Sequence, residues 1–433
     1  MDAPTVFMIM FGSLLVLILL RVPVSFALAL AVVPILMVTP NVTPIMLLQR
    51  MMNQFGSFIM LSIPFFILAA NIMNQAGITN QLMRFSQSLV GHLPGGLGHI
   101  NVLVSMIFAG ISGSSNADAA GIGSVIIPAM VKEGYDRNFT VAVTACSAVM
   151  GVIIPPSITM VVWGGVMNVS VAALFVGGII PGILIGVLQM VVVYIYAVKR
   201  KYPKADSFSF LKVLVALKES AVGLLSPVII VGGIVGGWVT PTEASLLAVV
   251  YSISVGMLLF RTVSLRDFYV LVSDSIRLSA IVLFAVGTAA IYAWVMSYYK
   301  VPTYLVGVLG SLTTNPTLML LLIVMVFLIA GMFIDSVPAI IIFAPLLRPL
   351  ADSVGINPVQ FAVVGCVTLA YGLVTPPYGL CLLITSEIAG INCMAPLKEV
   401  AAFLGSMMAV LLSMVFIPEV TLLLPRLFMP SLF

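Results

Sequence analysis

Ser112, Ser114, Ser115, Asn116 and Asp118 crowd the stretch GISGSSNADAAGIG, Gly110 to Gly123, with apolar sequence on both sides. Such a cluster suits ligand groups or the tip of a broken element. Small residues can also serve only to let helices pack closely, and that reading suits Gly123 and Ser124 better. A second stretch, GMFIDSVPA from Gly331 to Ala339, carries Asp335 and Ser336. Carboxylates in such surroundings are costly and usually functional. Either Asp118 or Asp335 could instead cap the N-terminus of a half-helix.

Two proline pairs belong to the same pattern. Pro155-Pro156 lies in GVIIPPSI and Pro376-Pro377 in GLVTPPYGL, each inside apolar sequence. Proline removes one helical N–H and clashes with a carbonyl one turn back. In hydrocarbon the unpaired carbonyls that result cost several kcal/mol, so something must satisfy them. A bound cation does so: freed carbonyls and Ser/Thr hydroxyls suit a hard ion such as Na⁺, while a half-helix N-terminus suits an anion. The prolines therefore predict an ion site near mid-membrane.

Other candidates are weaker. Glu243 in TPTEAS reads as a cap at the start of a helix. Glu387 ends the helix after the second break and could face a cytoplasmic cavity. His92 and His99 flank LPGGLG and read as interfacial, as do Trp163, Trp238 and Trp294. Cys146, Cys366, Cys381 and Cys393 show no CxxC spacing and read as small core residues.

These residues must be held by membrane helices. Of 433 residues, 62% are hydrophobic and 7% charged, against about 25% charged in soluble domains. The chain is therefore an all-α polytopic membrane protein. Asp2 stands where a signal peptide would be basic, so the first apolar segment is expected to be retained. The net charge of +4 does not indicate nucleic acid binding, because topology accounts for it. Lys199, Arg200, Lys201, Lys204, Lys212 and Lys218 crowd one loop, which is placed in the cytoplasm. Alternating the spans outward puts Arg21, Arg84, Lys132, Arg137, Arg261, Arg266, Arg277 and Lys398 on that side too. Only Arg50, Lys300, Arg348 and Arg426 fall outside. Both termini are then periplasmic.

The two halves resemble each other. FTVAVTACSAVMGVIIPPS aligns with FAVVGCVTLAYGLVTPPYG, and IIPAM with FAPLL at Pro128 and Pro345. Asp118 and Asp335 each precede those prolines by ten residues. The halves start on opposite sides, so the fold class is an inverted-topology repeat, as in many secondary transporters. Stretches 97–131 and 317–351 are too long for one span and read as re-entrant helical hairpins. The expected organisation is then scaffold and arm helices over 1–96, a transport hairpin with its Pro-Pro broken helix over 97–169, and a helix over 170–198. A cytoplasmic basic loop over 199–221 follows. The second repeat has scaffold and arm helices over 222–316, a hairpin with its broken helix over 317–390, and a last helix and tail over 391–433.

RVPVSFAL (21–28), SIPFFILAANIMNQAGIT (62–79), LVGHLPGGLGHINVLVSMIFAGISGSSNADAAGIG (89–123), IIPPS (153–157), GWVTPTEAS (237–245) and VTPPYG (374–379) carry a resemblance. Together they resemble the large membrane subunit of the TRAP transporters, which are tripartite, ATP-independent, sodium-driven uptake systems for organic acids. The likeness covers nearly the whole chain. Ala70-Asn71 departs from the Ala-Gly expected there. The resemblance implies an elevator-type transporter in a bacterial inner membrane, coupled to two or more Na⁺ and moving sialic acid or a C4-dicarboxylate. It implies a small four-helix membrane subunit, expected here as a separate chain, and a periplasmic substrate-binding protein, besides contact with membrane lipids. It also implies a first Na⁺ site of Ser112, Ser115 and Asn116 with carbonyls near Gly151 and Pro155. A second would use Gly331, Thr375 and carbonyls near Gly372 and Pro376. The substrate carboxylate would sit near Ser114, Asp335 and Pro156.

Rival classes fare worse. The sequence holds no HExxH and no Ser/His or paired-Asp constellation fit for an intramembrane enzyme. A channel needs a continuous polar path, whereas the polar residues cluster at two points. A proton-driven carboxylate transporter of the same fold is the nearest rival.

Overall fold

The computed structural model describes residues 1–20, 22–39, 42–204, 208–310 and 313–430. Arg21, part of the charge argument, lies outside them, as do 205–207 of the expected basic loop and 431–433 of the tail. The regular elements among the described residues are all helices. The first half holds α1 (Ala3–Leu19), α2 (Val24–Ala31), α3 (Val33–Val38), α4 (Pro44–Phe55), α5 (Ser62–Gln75) and α6 (Ile78–Val90). It continues with α7 (Gly96–Ser112), α8 (Ser115–Lys132), α9 (Arg137–Ala148), α10 (Ile158–Met167) and α11 (Val171–Arg200). The second holds α12 (Phe210–Val235), α13 (Pro241–Ile253), α14 (Leu265–Tyr298), α15 (Val301–Gly310) and α16 (Pro316–Phe333). It ends with α17 (Ser336–Ser353), α18 (Pro358–Gly372), α19 (Leu380–Ala389), α20 (Leu397–Phe416) and α21 (Glu419–Phe428). Among the described residues, eight helices are long and apolar enough to cross a membrane.

Local chemistry sets where helices begin. Asn315 and Asn357 cap α16 and α18, each ahead of a proline that supplies a helical φ without wasting an N–H. Asp136 caps α9 by accepting from the Phe139 N–H at 3.0 Å. Thr240 and Glu243 form a reciprocal capping box on α13, as the sequence predicts for Glu243. Ser264 and Asp267 do the same for α14.

Several expectations are corrected. The segment expected as a basic loop over 199–221 is helical from Phe210 onward, so Lys212 and Lys218 lie on α12. The apolar stretch 22–38 is two short helices, and the amphipathic α4 was not foreseen as an element. Trp163 is not interfacial. It is fully buried, with its ring 5.2 Å from Phe361 and 5.7 Å from Phe327 between centroids. Gly365 makes room for it, since a Cβ there would lie 2.6 Å from the indole Cζ3. A tryptophan of the first half is thus seated in the second. His99 is buried as well. Cys146, Cys366 and Cys381 are buried and unpaired, as core residues should be.

Two pairs of helices are laid out alike. In the first, α7 and α8 pack together and meet at Gly113-Ser114; in the second, α16 and α17 meet at Ile334-Asp335. Each pair is followed by a helix that stops at the prolines: α9 before Pro155-Pro156, α18 before Pro376-Pro377. Both Pro-Pro bonds are cis.

Candidate functional site

The tip of the first pair is assembled from local bonds. Gly113 ends α7 in the left-handed region, φ +63°, where glycine is strain-free. Ser114 caps α8, accepting from the Ala117 N–H at 3.4 Å, and Ser112 Oγ accepts from the Ser114 N–H at 3.4 Å. Ser115 Oγ donates to the Val149 carbonyl at 3.2 Å, reaching across to the end of α9. The Ile158 N–H donates to the Gly113 carbonyl at 3.3 Å, tying the tip to the chain beyond the prolines.

Gly151 shows how close this docking is. A Cβ there would sit 2.9 Å from Ser114 C and Ser115 N. Likewise, a Cβ on Gly113 would meet the Pro156 carbonyl oxygen at 2.7 Å. Ser157 and Thr159 hydroxyls both donate to the Val152 carbonyl, at 2.6 and 3.1 Å. That carbonyl belongs to the turn broken open before the prolines.

The second tip repeats the plan with different residues. Asp335 caps α17, accepting from the Ser336 N–H at 2.6 Å. The Tyr378 N–H donates to the Met332 carbonyl at 3.0 Å, the counterpart of the Ile158–Gly113 bond. A Cβ on Gly372 would lie 2.7 Å from Gly331 Cα and closer still to its carbonyl. Thr375 Oγ1 donates to the Tyr371 carbonyl at 2.8 Å, which leaves its lone pairs available.

Of the residues the sequence singles out, Ser112, Ser114, Ser115, Asn116 and Asp335 line one cavity of about 580 Å³. Pro156 does not line it; it packs beneath Gly113. Gly151, Pro155, Gly331, Gly372, Thr375 and Pro376 stay off its wall, with Gly151, Gly331 and Gly372 at the tip-to-break contacts. Asp335 is both a cap and a wall residue. Asp118 is neither: Ser114 takes the cap of α8, and Asp118 is fully buried one turn on. One of its oxygens accepts from Ser105 Oγ at 3.3 Å, and Oδ2 has no partner among the described residues. Glu387 is exposed on α19.

The rest of the wall was missed in the sequence. Asn71 and Asn74 of α5, Thr159 of α10, and Leu278 and Val282 of α14 complete it. Two carboxamides three residues apart near the end of a largely apolar helix are the available signal. Read from the sequence, Asn71 is only a departure from the Ala-Gly pattern. Among the described residues lining the cavity, Asp335 alone bears a formal charge.

Long apolar helices, two matched helix breaks and a polar cavity shared by their tips define a polytopic membrane permease. The chain belongs to the family described as "Tripartite ATP-independent periplasmic transporter, DctM component", whose profile matches residues 11–420. It is 36% identical over 407 residues to the sialic acid TRAP transporter large permease SiaM of Vibrio cholerae, covering 94% of this chain and 95% of that one. It is also 36% identical over 369 residues to the C4-dicarboxylate TRAP transporter large permease DctM of Pseudomonas aeruginosa, covering 85% and 86%. These relatives are permeases, not enzymes. Among solved structures, the YdaH transporter of Alcanivorax borkumensis is similar with a TM-score of 0.59 at 15% identity, over 88% of this chain and 86% of that one. That likeness concerns the fold alone.

Proposed function

We propose that this permease imports an organic acid, sialic acid or a C4-dicarboxylate, down a sodium gradient. A periplasmic binding protein delivers the acid, and a small four-helix membrane subunit completes the complex in a bacterial inner membrane. One observation carries the reading: each tip is docked by backbone hydrogen bonding onto the helix break of its own half, and both tips face one cavity. Broken helices facing one another at a repeat interface are where secondary transporters bind coupling ions and solute.

Sodium suits these sites because hydroxyls and carbonyls are hard oxygen donors and cost no deprotonation. Ser112, Ser115 and Asn116 with the carbonyls near Gly151 and Pro155 would hold one ion. Thr375 and the carbonyls near Gly331, Gly372 and Pro376 would hold the other. The acid's carboxylate would lie at the N-termini of α8 and α17, beside Ser114 and Asp335, where the helix dipoles favour negative charge. Elevator motion would carry the two re-entrant tips and their broken helices past α5 and α14.

Proton-driven carboxylate transport on the same fold has one observation in its favour, the buried Asp118 with its unpartnered oxygen. Reconstituted complex with its binding protein decides between the two. Uptake that follows an imposed Na⁺ gradient at uniform pH supports the sodium reading. Uptake that follows a pH gradient without Na⁺, and is lost in Asp118→Asn, would replace it.

A further inference from the structure

We infer that the cavity between the tips is built for a monoanion bearing hydroxyl or amide groups, not for a dicarboxylate, and that Asn71 and Asn74 read those groups. This rests on taking that cavity as the substrate's, and it names the class of acid within that reading.

The hydrogen bonds of the wall fix which amide atoms are already committed. Ser275 Oγ donates its proton to the Leu271 carbonyl at 2.6 Å, so toward Asn71 it can only accept. Asn71 therefore donates through Nδ2, at 2.9 Å, and its Oδ1 remains as the acceptor. Asn74 is committed the other way. Its Oδ1 accepts from Thr79 Oγ1 at 2.9 Å, so its Nδ2 remains as the donor. Residues three apart on a helix share a face, and both side chains line the cavity. The scaffold wall thus offers the Asn71 oxygen as an acceptor beside the uncommitted N–H donors of Asn71 and Asn74.

A hydroxyl satisfies both, donating to Asn71 and accepting from Asn74. An amide does the same with its two ends. A carboxylate has acceptors only: it takes the N–H groups but leaves the Asn71 oxygen facing a lone pair, with no donor to satisfy it. Charge argues in the same direction. The first carboxylate has the helix N-termini of α8 and α17 to face. A second would find no basic side chain among the described residues of this wall and would share it with Asp335; Arg277 lines only the adjoining pocket beyond Asn71 and Asn74, in company with Asp274. A buried anion without a partner is strongly disfavoured. Size agrees: about 580 Å³ falls within the roughly 300–1,000 Å³ of small-molecule sites, with room for a sugar-sized acid.

The test is titration calorimetry on the full chain, purified with its small subunit in saturating Na⁺. N-acetylneuraminate and gluconate are compared with succinate and fumarate. At least one hydroxylated monoanion should bind about tenfold or more tighter than either dicarboxylate. Asn71→Leu should narrow that gap about fivefold, the scale of one lost hydrogen bond, by weakening the monoanion while succinate affinity holds or rises. Ser275→Ala frees the Asn71 amide to turn and should narrow the gap while keeping the residue. It also serves as the test should Asn71→Leu fail to assemble. A dicarboxylate binding as tightly as both monoanions overturns the inference, and so does a gap that survives both substitutions. Binding of none of the four acids would sink the organic-acid reading itself, and the inference with it.

Discussion

Gly372 lies against Gly331 with no room for a side chain between them: an added Cβ at 372 would stand 2.7 Å from Gly331 Cα. Two backbones meet there, so neither side can yield by a rotamer change. Gly372→Ala should push the second tip off its break. Overpacking costs about 1–3 kcal/mol, more than the helix propensity alanine regains at the last residue of α18. The expected result is a lower melting temperature with a raised Na⁺ half-saturation, read on one purified sample. Wild-type values for both would mean that the tip is not held there.

The proline pair of the second break can be tested separately from its stability. Pro376→Ala/Pro377→Ala should let the helix close, each recovered backbone bond adding about 0.5–1.5 kcal/mol net. The mutant should assemble well and need far more Na⁺ for transport. A scaffolding role alone predicts the reverse, poor assembly with normal Na⁺ dependence. Thr375→Val removes one oxygen while keeping shape. An unchanged Na⁺ half-saturation in that variant would show that Thr375 is not a ligand.

Gly365 and Trp163 form a compensating pair across the two halves. Gly365→Ala places a methyl against the outer edge of the indole, 2.6 Å from Cζ3. A loss of about 1–3 kcal/mol is expected. Trp163→Phe removes that edge and leaves a void of its own. The double mutant should be more stable than the sum of the single losses predicts, since residues in contact couple by 0.5–3 kcal/mol (roughly). Strict additivity in thermal unfolding would contradict the packing described.

The basic residues around Lys199–Lys218 predict that this region is cytoplasmic. Lys204 is exposed just past α11. In a Cys393→Ser background, Lys204→Cys should react with an impermeant maleimide only after the cells are opened. Labelling in intact cells would reverse the assignment of every span.

The tips and breaks were legible in the sequence because they violate local rules. Polar residues and prolines inside apolar helices have no cheap structural explanation, so their positions mark a site. Caps such as Thr240–Glu243 were legible because they act within four residues. What stayed hidden depends on partners far along the chain. Trp163 looks like any interfacial tryptophan until Phe327, Phe361 and Gly365 surround it. Asn71 and Asn74 show no role until Ser275 and Thr79 fix their amides and α14 completes the wall. The amphipathic α4 has no such signal, since its mixed sequence gives no long apolar run.

The seating of Trp163 between Phe327 and Phe361, with α19 packed on α8 and α9, bears on how the protein is made. Chains emerge from the ribosome N-terminus first and begin folding as they do. The first half therefore enters the bilayer with its indole unhoused and the face awaiting α19 uncovered. It must remain in that unfinished condition until the second half has been synthesised and inserted. The contacts that join the halves can therefore form only after the last helices have arrived. A chain interrupted between the halves leaves a product with apolar and polar surfaces that only its missing sequence can cover, a natural target for membrane proteases.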